Sequence, residues 1–120
     1  MAATKQDLII EKGATFEMNL VYREEGVYVD LTALRVKMTI REKQDMSSPE
    51  ILSIDSAESG SPYIALGLQG QIDITVPPSV TKAIGQSFGF YDLVLEQGVD
   101  DTDRLLEGFV KFKPGVTDLG

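Results

Sequence analysis

The feature that most constrains this chain is a strict alternation of apolar and polar residues, repeated in several separate segments. In residues 89–96, the side chains of Tyr91, Leu93 and Leu95 fall on one side of an extended chain, and Asp92 falls on the other. Successive side chains of a β-strand point to opposite faces, so this period of two is typical of a strand with one buried face. We predict that the segment is a central strand of an all-β domain.

Four further segments show the same period and predict the side chains that face the core. Gly108 falls on one of these inward faces, where a missing side chain lets a neighbour approach closely. Between two of the strands, Pro77-Pro78 ends one run, Ser79 resembles an N-cap, and residues 80–84 predict one short helix. The predicted inward residues are Phe16, Met18, Leu20 and Tyr22, then Leu34, Val36, Met38 and Ile40, then Ile72, Ile74 and Val76, and finally Leu106, Val110 and Phe112.

About seven or eight strands separated by regular turns predict an antiparallel β-sandwich, in which two apolar faces meet in one core. A closed barrel is the alternative, but the long irregular loops and the single helical crossover favour the sandwich. A chain of 120 residues has the size of one domain. We predict a flexible N-terminal arm over residues 1–7, the sandwich over residues 8–114 and a tail over residues 115–120.

Composition excludes several classes of chemistry. The chain has no cysteine and no histidine, which removes thiol nucleophiles, disulfides, Cys/His zinc sites and histidine-based triads. Its 11 basic and 19 acidic residues give a net charge of −8, which argues against nucleic acid or an anionic membrane as a partner. No segment predicts a signal peptide or a membrane span. We interpret the basic run at residues 35–43 as a solvated strand face and not as a phosphate site.

Acidic residues give no convincing catalytic or metal site. The three aspartates of residues 100–103 lack the spacing of an ordered calcium loop, and aspartate at a hairpin tip usually serves turn geometry. Asp73, Asp92 and Glu96 lie on outward strand faces, and nothing marks a deep pocket between carboxylates. We therefore predict that the chain is not an enzyme and that it holds no cofactor and no metal.

Two apolar stretches are predicted to contact a partner. If Tyr91 faces the core, Phe88 and Phe90 face outward, and they form a partner surface unless a loop covers them or a bulge at Gly89 changes the phase. The apolar segment at residues 8–10 either adds to a partner's sheet or forms the domain's own edge strand. The predicted partner-binding residues are Leu8, Ile9, Ile10, Phe88 and Phe90.

Several segments, taken in their order, resemble small tail and baseplate proteins of tailed bacteriophages, in particular the N-terminal domain of baseplate upper proteins. The resemblance covers residues from about 8 to 114, and it depends on the order of the segments. The matching segments are Glu11-Lys12-Gly13-Ala14-Thr15-Phe16, Val29-Asp30-Leu31-Thr32, Val36-Lys37-Met38-Thr39-Ile40-Arg41, Ile72-Asp73-Ile74-Thr75-Val76-Pro77 with Ser79-Val80-Thr81, and Tyr91-Asp92-Leu93-Val94-Leu95-Glu96 with Arg104-Leu105-Leu106-Glu107-Gly108.

This resemblance implies an immunoglobulin-like β-sandwich that serves as a virion structural protein. It implies a tail, baseplate or neck adaptor that holds other virion proteins, within a symmetric assembly that includes a possible homo-oligomer. The implied location is the virion, after synthesis in the host bacterial cytoplasm, and the family offers no catalytic residues. The alternative, based on the outward Phe88 and Phe90 and the nearby carboxylates, is a carbohydrate-binding β-sandwich module.

Overall fold

The computed structural model describes residues 3–116, which form eleven strands and one short helix. Residues 1, 2 and 117–120, which belong to the predicted arm and tail, lie outside the described residues. The elements are β1 (Thr4–Lys5), β2 (Leu8–Glu11), β3 (Phe16–Val21), β4 (Arg23–Glu24), β5 (Val27–Tyr28), β6 (Arg35–Arg41), β7 (Glu50–Asp55), β8 (Tyr63–Leu66), β9 (Gln71–Val76), α1 (Pro78–Lys82), β10 (Phe88–Gly98) and β11 (Asp101–Lys113).

The strands form two sheets that enclose one core. The large sheet has the order β1-β11-β10-β6-β7, with β2 also paired to β11, and the small sheet has the order β3-β9-β8. Strands β4 and β5 form a separate hairpin. Pairing is antiparallel except for β1 and β2, which run parallel to β11. The predicted all-β sandwich with one short helix is confirmed, and eight strands have four or more residues.

The core lies between the inner faces of the two sheets. Val36, Leu93 and Leu95 are fully buried, and Ile72 and Ile74 cover them from the small sheet with almost no exposure. Most of the predicted inward residues are buried, whereas Phe16, Leu20, Tyr22 and Leu34 are only half-buried at the margin of the core. The period of two therefore identified the strand faces correctly.

The short helix begins earlier than predicted, and Ser79 is not its N-cap. Pro77 occupies the N-cap without a side-chain hydrogen bond, and Pro78 opens the first turn. A proline is suited to that position because its missing N–H would have no partner within the helix. Buried Thr81 fixes the helix to the chain before β3: its hydroxyl donates to the carbonyl oxygen of Ala14 (2.8 Å) and accepts from the N–H of Gly13 (3.1 Å).

The N-terminal strands lie against β11, and Gly108 permits their close approach. The backbone N–H of Gln6 donates to the carbonyl oxygen of Glu107 (2.9 Å), and the Tyr91 hydroxyl donates to the carbonyl oxygen of Gln6 (2.7 Å). A Cβ atom at Gly108 would lie 2.3 Å from that same Gln6 oxygen. The prediction for Gly108 is confirmed. The boundaries of the domain at residues 8 and 114 stay a prediction.

Candidate functional site

Three phenylalanines form an exposed aromatic group on the outer face of the large sheet. Phe88 and Phe90 lie on β10, and Phe109 is the cross-strand partner of Phe90 on β11. The ring of Phe109 is stacked on Phe88, and it meets Phe90 edge to face, with 5.7 Å between ring centroids in both pairs. Phe88 is 53% exposed and Phe109 is 38% exposed. We call Phe88, Phe90 and Phe109 the phenylalanine cluster.

The outward direction of Phe88 and Phe90 does not arise from a bulge at Gly89. The register shifts of β10 against β11 occur farther along, after Leu93 and after Glu96. Gly89 is buried on the inner face, where a Cβ atom would lie 2.9 Å from the carbonyl oxygen of Arg41 and from Cδ1 of Ile51. Phe109 was missed in the sequence, although its neighbours Val110 and Phe112 already assigned it to the outward face.

The apolar N-terminal segment is divided between the core and the surface. Leu8 and Ile10 are buried in the core, so they are unavailable to a partner in this fold. Ile9 is 62% exposed, and its cross-strand partner is Lys111. The segment is thus the domain's own edge strand, which was one of the two alternatives. Ile9 stays a predicted partner-binding residue, together with Phe88 and Phe90.

An open groove of about 610 Å³ runs along the outer face of the large sheet, beside the phenylalanine cluster. Residues of β6, β10 and β11 form its floor, and the loop of residues 43–46 forms one wall. Met46, in this loop, is 84% exposed. Five of the 11 basic residues of the chain line the groove, but only four of the 19 acidic residues do. The charges that line the groove are therefore nearly balanced, although the protein as a whole is acidic.

Ion pairs neutralise some of the charges on this face. The Arg104 guanidinium lies 3.1 Å from the carboxylate of Asp92 and 4.0 Å from that of Glu107. Arg35 donates hydrogen bonds to both carboxylate oxygens of Asp55 through Nε (3.0 and 3.2 Å). These hydrogen bonds are the largest of the effects that hold the pKa of Asp55 below its ordinary value.

Lysines on the same face are left without such partners. Within residues 3–116, neither Lys37 nor Lys43 forms an ion pair. Lys111 borders the cluster on β11, as the cross-strand partner of Phe88, and it likewise forms no ion pair among the described residues. The outer face thus combines apolar side chains with lysines that form no ion pair within the described residues.

The other candidate residues of the sequence are not brought together. The predicted acidic loop is shorter than expected: β11 begins at Asp101, and Asp100 takes a positive φ of 60° that permits a tight turn. Asp73 lies on the small sheet, whereas Asp92 and Glu96 lie on the large sheet. The described part of the chain contains no cluster of three or more acidic side chains that could hold a metal ion. It also contains no helix that is long and apolar enough to cross a membrane.

Comparisons with known proteins give structural neighbours only. No protein-family model and no curated protein matches the chain. One similar solved structure shows extracellular domains of the voltage-gated sodium channel beta4 subunit, described as parallel homodimers that explain its role in cell–cell adhesion. It has 11% identity, 97% coverage of both chains and a TM-score of 0.53. A second comes from work on multimeric cell-adhesive interactions of these beta subunits, with 10% identity, coverage of 90% and 91%, and a TM-score of 0.51.

These findings contradict the expected relation to tail and baseplate proteins of bacteriophages. These two similar structures are extracellular immunoglobulin-like domains of channel subunits, and neither is a phage protein. The predicted virion structural role, virion partners and virion location are therefore wrong. The segments that carried the resemblance are alternating stretches of β6, β9, β10 and β11, together with the connections before β3 and before β6. Alternating strands and short connections occur in every β-sandwich, so these segments indicate the fold and not the family. What the comparisons establish is the fold: the chain is an immunoglobulin-like β-sandwich.

Proposed function

We propose that the chain is a protein-binding domain and not an enzyme, and that it contacts its partner through the outer face of the large sheet. The observation that carries this proposal is the phenylalanine cluster, which stands exposed on a sheet face beside an open groove. The partner surface would offer apolar side chains for the cluster, bordered by carboxylates for the basic residues around it.

The exposure of the cluster favours a contact role over a role in the fold. Phe88 has more than half of its surface in water, although its ring is stacked with that of Phe109. Aromatic side chains carry much of the energy at protein interfaces, because they bury a large area and lose few rotamers. Ile9 and Met46, both strongly exposed, extend the same apolar surface toward β2 and toward the loop before β7.

The charges near the cluster define the chemistry of the partner. Arg41 is the cross-strand neighbour of Phe90 on β6, and Lys111 is that of Phe88 on β11. A cation beside an apolar contact favours a partner with acidic groups at the corresponding positions and disfavours a basic one. The net charge of −8 repels an acidic partner at long range. We therefore expect ion pairs from Arg41 and Lys111 to carboxylates of the partner to determine the specificity of binding more than the rate of association.

The structural neighbours support a protein partner in a general way. Both are described by contacts between protein domains, one as homodimers and the other as multimeric adhesive interactions. Their identity to this chain is too low to transfer any residue of a contact, so the position of the surface rests on the geometry alone.

Selection of binders from a displayed library of random peptides tests the proposal. The wild-type domain should enrich peptides that combine aromatic or aliphatic anchors with aspartate or glutamate. Phe109→Ser and Phe88→Ser should weaken their binding at least about tenfold, as expected when a central aromatic contact is lost. Tyr63→Ser is the matched control, because Tyr63 is 41% exposed on β8 of the small sheet.

Two results would contradict the proposal. Peptides that bind the Phe109→Ser and wild-type domains equally would show that another surface makes the contact. A panel of immobilised glycans gives the second arm, since exposed aromatic rings also occur in sugar-binding domains. Saccharide binding that is lost in the same phenylalanine variants, without any enriched peptide, would favour the carbohydrate-binding alternative.

A further inference from the structure

Strand β3 leaves one edge of the small sheet open. Within residues 3–116, β3 pairs only with β9, through the register Phe16↔Val76 to Val21↔Gln71. The next pair along, Tyr22 and Gly70, is hydrogen-bonded, with 2.8 Å from the Tyr22 nitrogen to the Gly70 oxygen. Hydrogen-bonded and non-hydrogen-bonded pairs alternate in an antiparallel ladder. The N–H and C=O groups of Glu17, Asn19 and Val21 therefore point to the open edge.

This edge has few of the features that usually prevent pairing with another strand, since Glu17 is its only charged side chain. Proteins protect edges with lysine, proline, bulges or very short strands. Over its six residues, β3 contains no lysine, arginine or proline, and its register with β9 is continuous. The edge strand β7 of the large sheet, in contrast, has a register shift against β6, and β8 has only four residues. Among these edges of the described chain, β3 is the one best suited to accept a strand.

We propose that β3 pairs with β3 of a second copy of this chain, antiparallel and with a two-fold axis at Asn19. In this register Asn19 lies opposite Asn19 of the second copy, and Glu17 lies opposite Val21 of the second copy. The outward N–H and C=O groups of Glu17, Asn19 and Val21 then bond with the same three residues of the second copy. The two small sheets become one continuous sheet of six strands.

The charges of β3 suit this pairing. Like charges directly opposite each other destabilise a pair of strands, and the proposed register avoids this because Glu17 faces an apolar side chain that is 56% exposed in the single copy. The two asparagine amides at the axis can donate to and accept from each other.

An apolar groove at the end of β3 supports the same register. This groove of about 200 Å³ lies between the two sheets and is lined by Leu20, Tyr22, Ile72 and Leu105, among others. Pairing centred on Asn19 places Phe16 of the second copy opposite Tyr22, next to this groove. Phe16 is only half-buried in the single copy, so the contact would remove apolar surface from water on both sides.

Crosslinking tests the register directly, because the chain has no cysteine. Asn19→Cys should form a dimer with a short bismaleimide crosslinker at least about tenfold faster than Ala65→Cys, since pairing raises the effective concentration of the two thiols. Ala65 is the matched control: it is exposed on the outer face of the same sheet, on the opposite edge strand. Equal rates for the two variants would overturn the proposal.

Sedimentation velocity gives an independent readout. The wild-type chain should sediment as a dimer at about 100 μM, and Asn19→Lys, which sets two ammonium groups opposite each other, should raise the dissociation constant at least about tenfold. Asn19→Ser is the conservative control and should remain a dimer. A wild-type monomer at that concentration would overturn the proposal. Phe109→Ser should not change the dimer, so failure here and failure of the proposed binding face are distinguishable.

Discussion

Replacement of Gly108 by alanine tests the packing of the N-terminal strands against β11. The new Cβ atom would lie 2.3 Å from the carbonyl oxygen of Gln6 and 2.8 Å from its carbonyl carbon. Carbon and oxygen atoms in contact are normally about 3.3 Å apart, so the backbone near Gln6 must move by about 1 Å. Backbone atoms that are hydrogen-bonded between strands cannot move aside as easily as the end of a flexible side chain. The substitution should therefore lower the free energy of unfolding.

The magnitude follows from the bonds that this movement breaks. The carbonyl oxygen of Gln6 accepts from the Tyr91 hydroxyl at 2.7 Å, and the Gln6 N–H donates to Glu107 at 2.9 Å. Each of these two bonds contributes about 1 kcal/mol, and a buried hydroxyl left without a partner costs a further 1–3 kcal/mol, so we expect Gly108→Ala to lower the free energy of unfolding by about 3–5 kcal/mol. Tyr91 is 4% exposed, so water cannot easily replace the lost partner.

Urea unfolding followed by circular dichroism measures this change, and Gly98→Ala is the control. A Cβ atom at Gly98 meets nothing within 4 Å, so that variant should stay within about 0.5 kcal/mol of the wild type. Hydrogen exchange should in addition show faster exchange of the amides of residues 4–11 in Gly108→Ala. Equal unfolding midpoints for the two alanine variants would refute the close approach of Gln6 to β11.

Three further predictions concern the core and the ion pairs. Leu93→Ala should lower the free energy of unfolding in urea by about 2–5 kcal/mol, because Leu93 is fully buried. Asp92→Ala should lower it by under about 1 kcal/mol, because it removes only a partly exposed ion pair with Arg104. The reverse order would mean that Asp92, and not Leu93, faces the core. Asp55→Asn should cost about 1.5–3 kcal/mol at neutral pH, since it weakens hydrogen bonds from the Arg35 guanidinium; an unchanged midpoint would show that the pair contributes nothing. The pKa of Asp55 is lowered in the folded state, so its carboxylate stabilises the fold above about pH 4, the pKa of an unfolded aspartate, and this stability is lost as the pH falls through the folded pKa. Thermal unfolding of Asp55→Asn should therefore depend less on pH below about pH 4 than that of the wild type. Identical acid profiles of the two proteins would contradict this role of Asp55.

The parts of the fold that depend on local pattern could be predicted from the sequence. Alternation identified the buried faces of β6, β9 and β10, because a period of two is a property of each strand by itself. Pairing between strands is not local, and this explains what was missed. Phe109 joins Phe88 and Phe90 only through the register of β10 with β11. The acidic loop was predicted too long, because the positive φ of Asp100 permits a turn that composition alone does not indicate.

The candidate site was predictable in part for the same reason. The outward phase of Phe88 and Phe90 follows from the burial of Tyr91, so it could be read from one strand. The division of residues 8–10 could not, since it depends on the parallel pairing of Leu8 and Ile10 with β11 across about a hundred residues of chain. The resemblance to phage proteins was misleading for a related reason. A series of alternating strands predicts the β-sandwich fold, but it does not predict what the domain binds.

The parallel pairing of the first strands with the last strand has a consequence for how the chain folds. Strands β1 and β2 end at Glu11, whereas β11 extends from Asp101 to Lys113. The large sheet therefore cannot be completed until residues up to Lys113 have left the ribosome. Contacts between such distant residues close slowly, because loop closure must precede any gain from the contact. Until then Leu8 and Ile10 lack the strand that pairs with them, and the nascent chain is exposed to aggregation from the synthesis of β2 to that of β11.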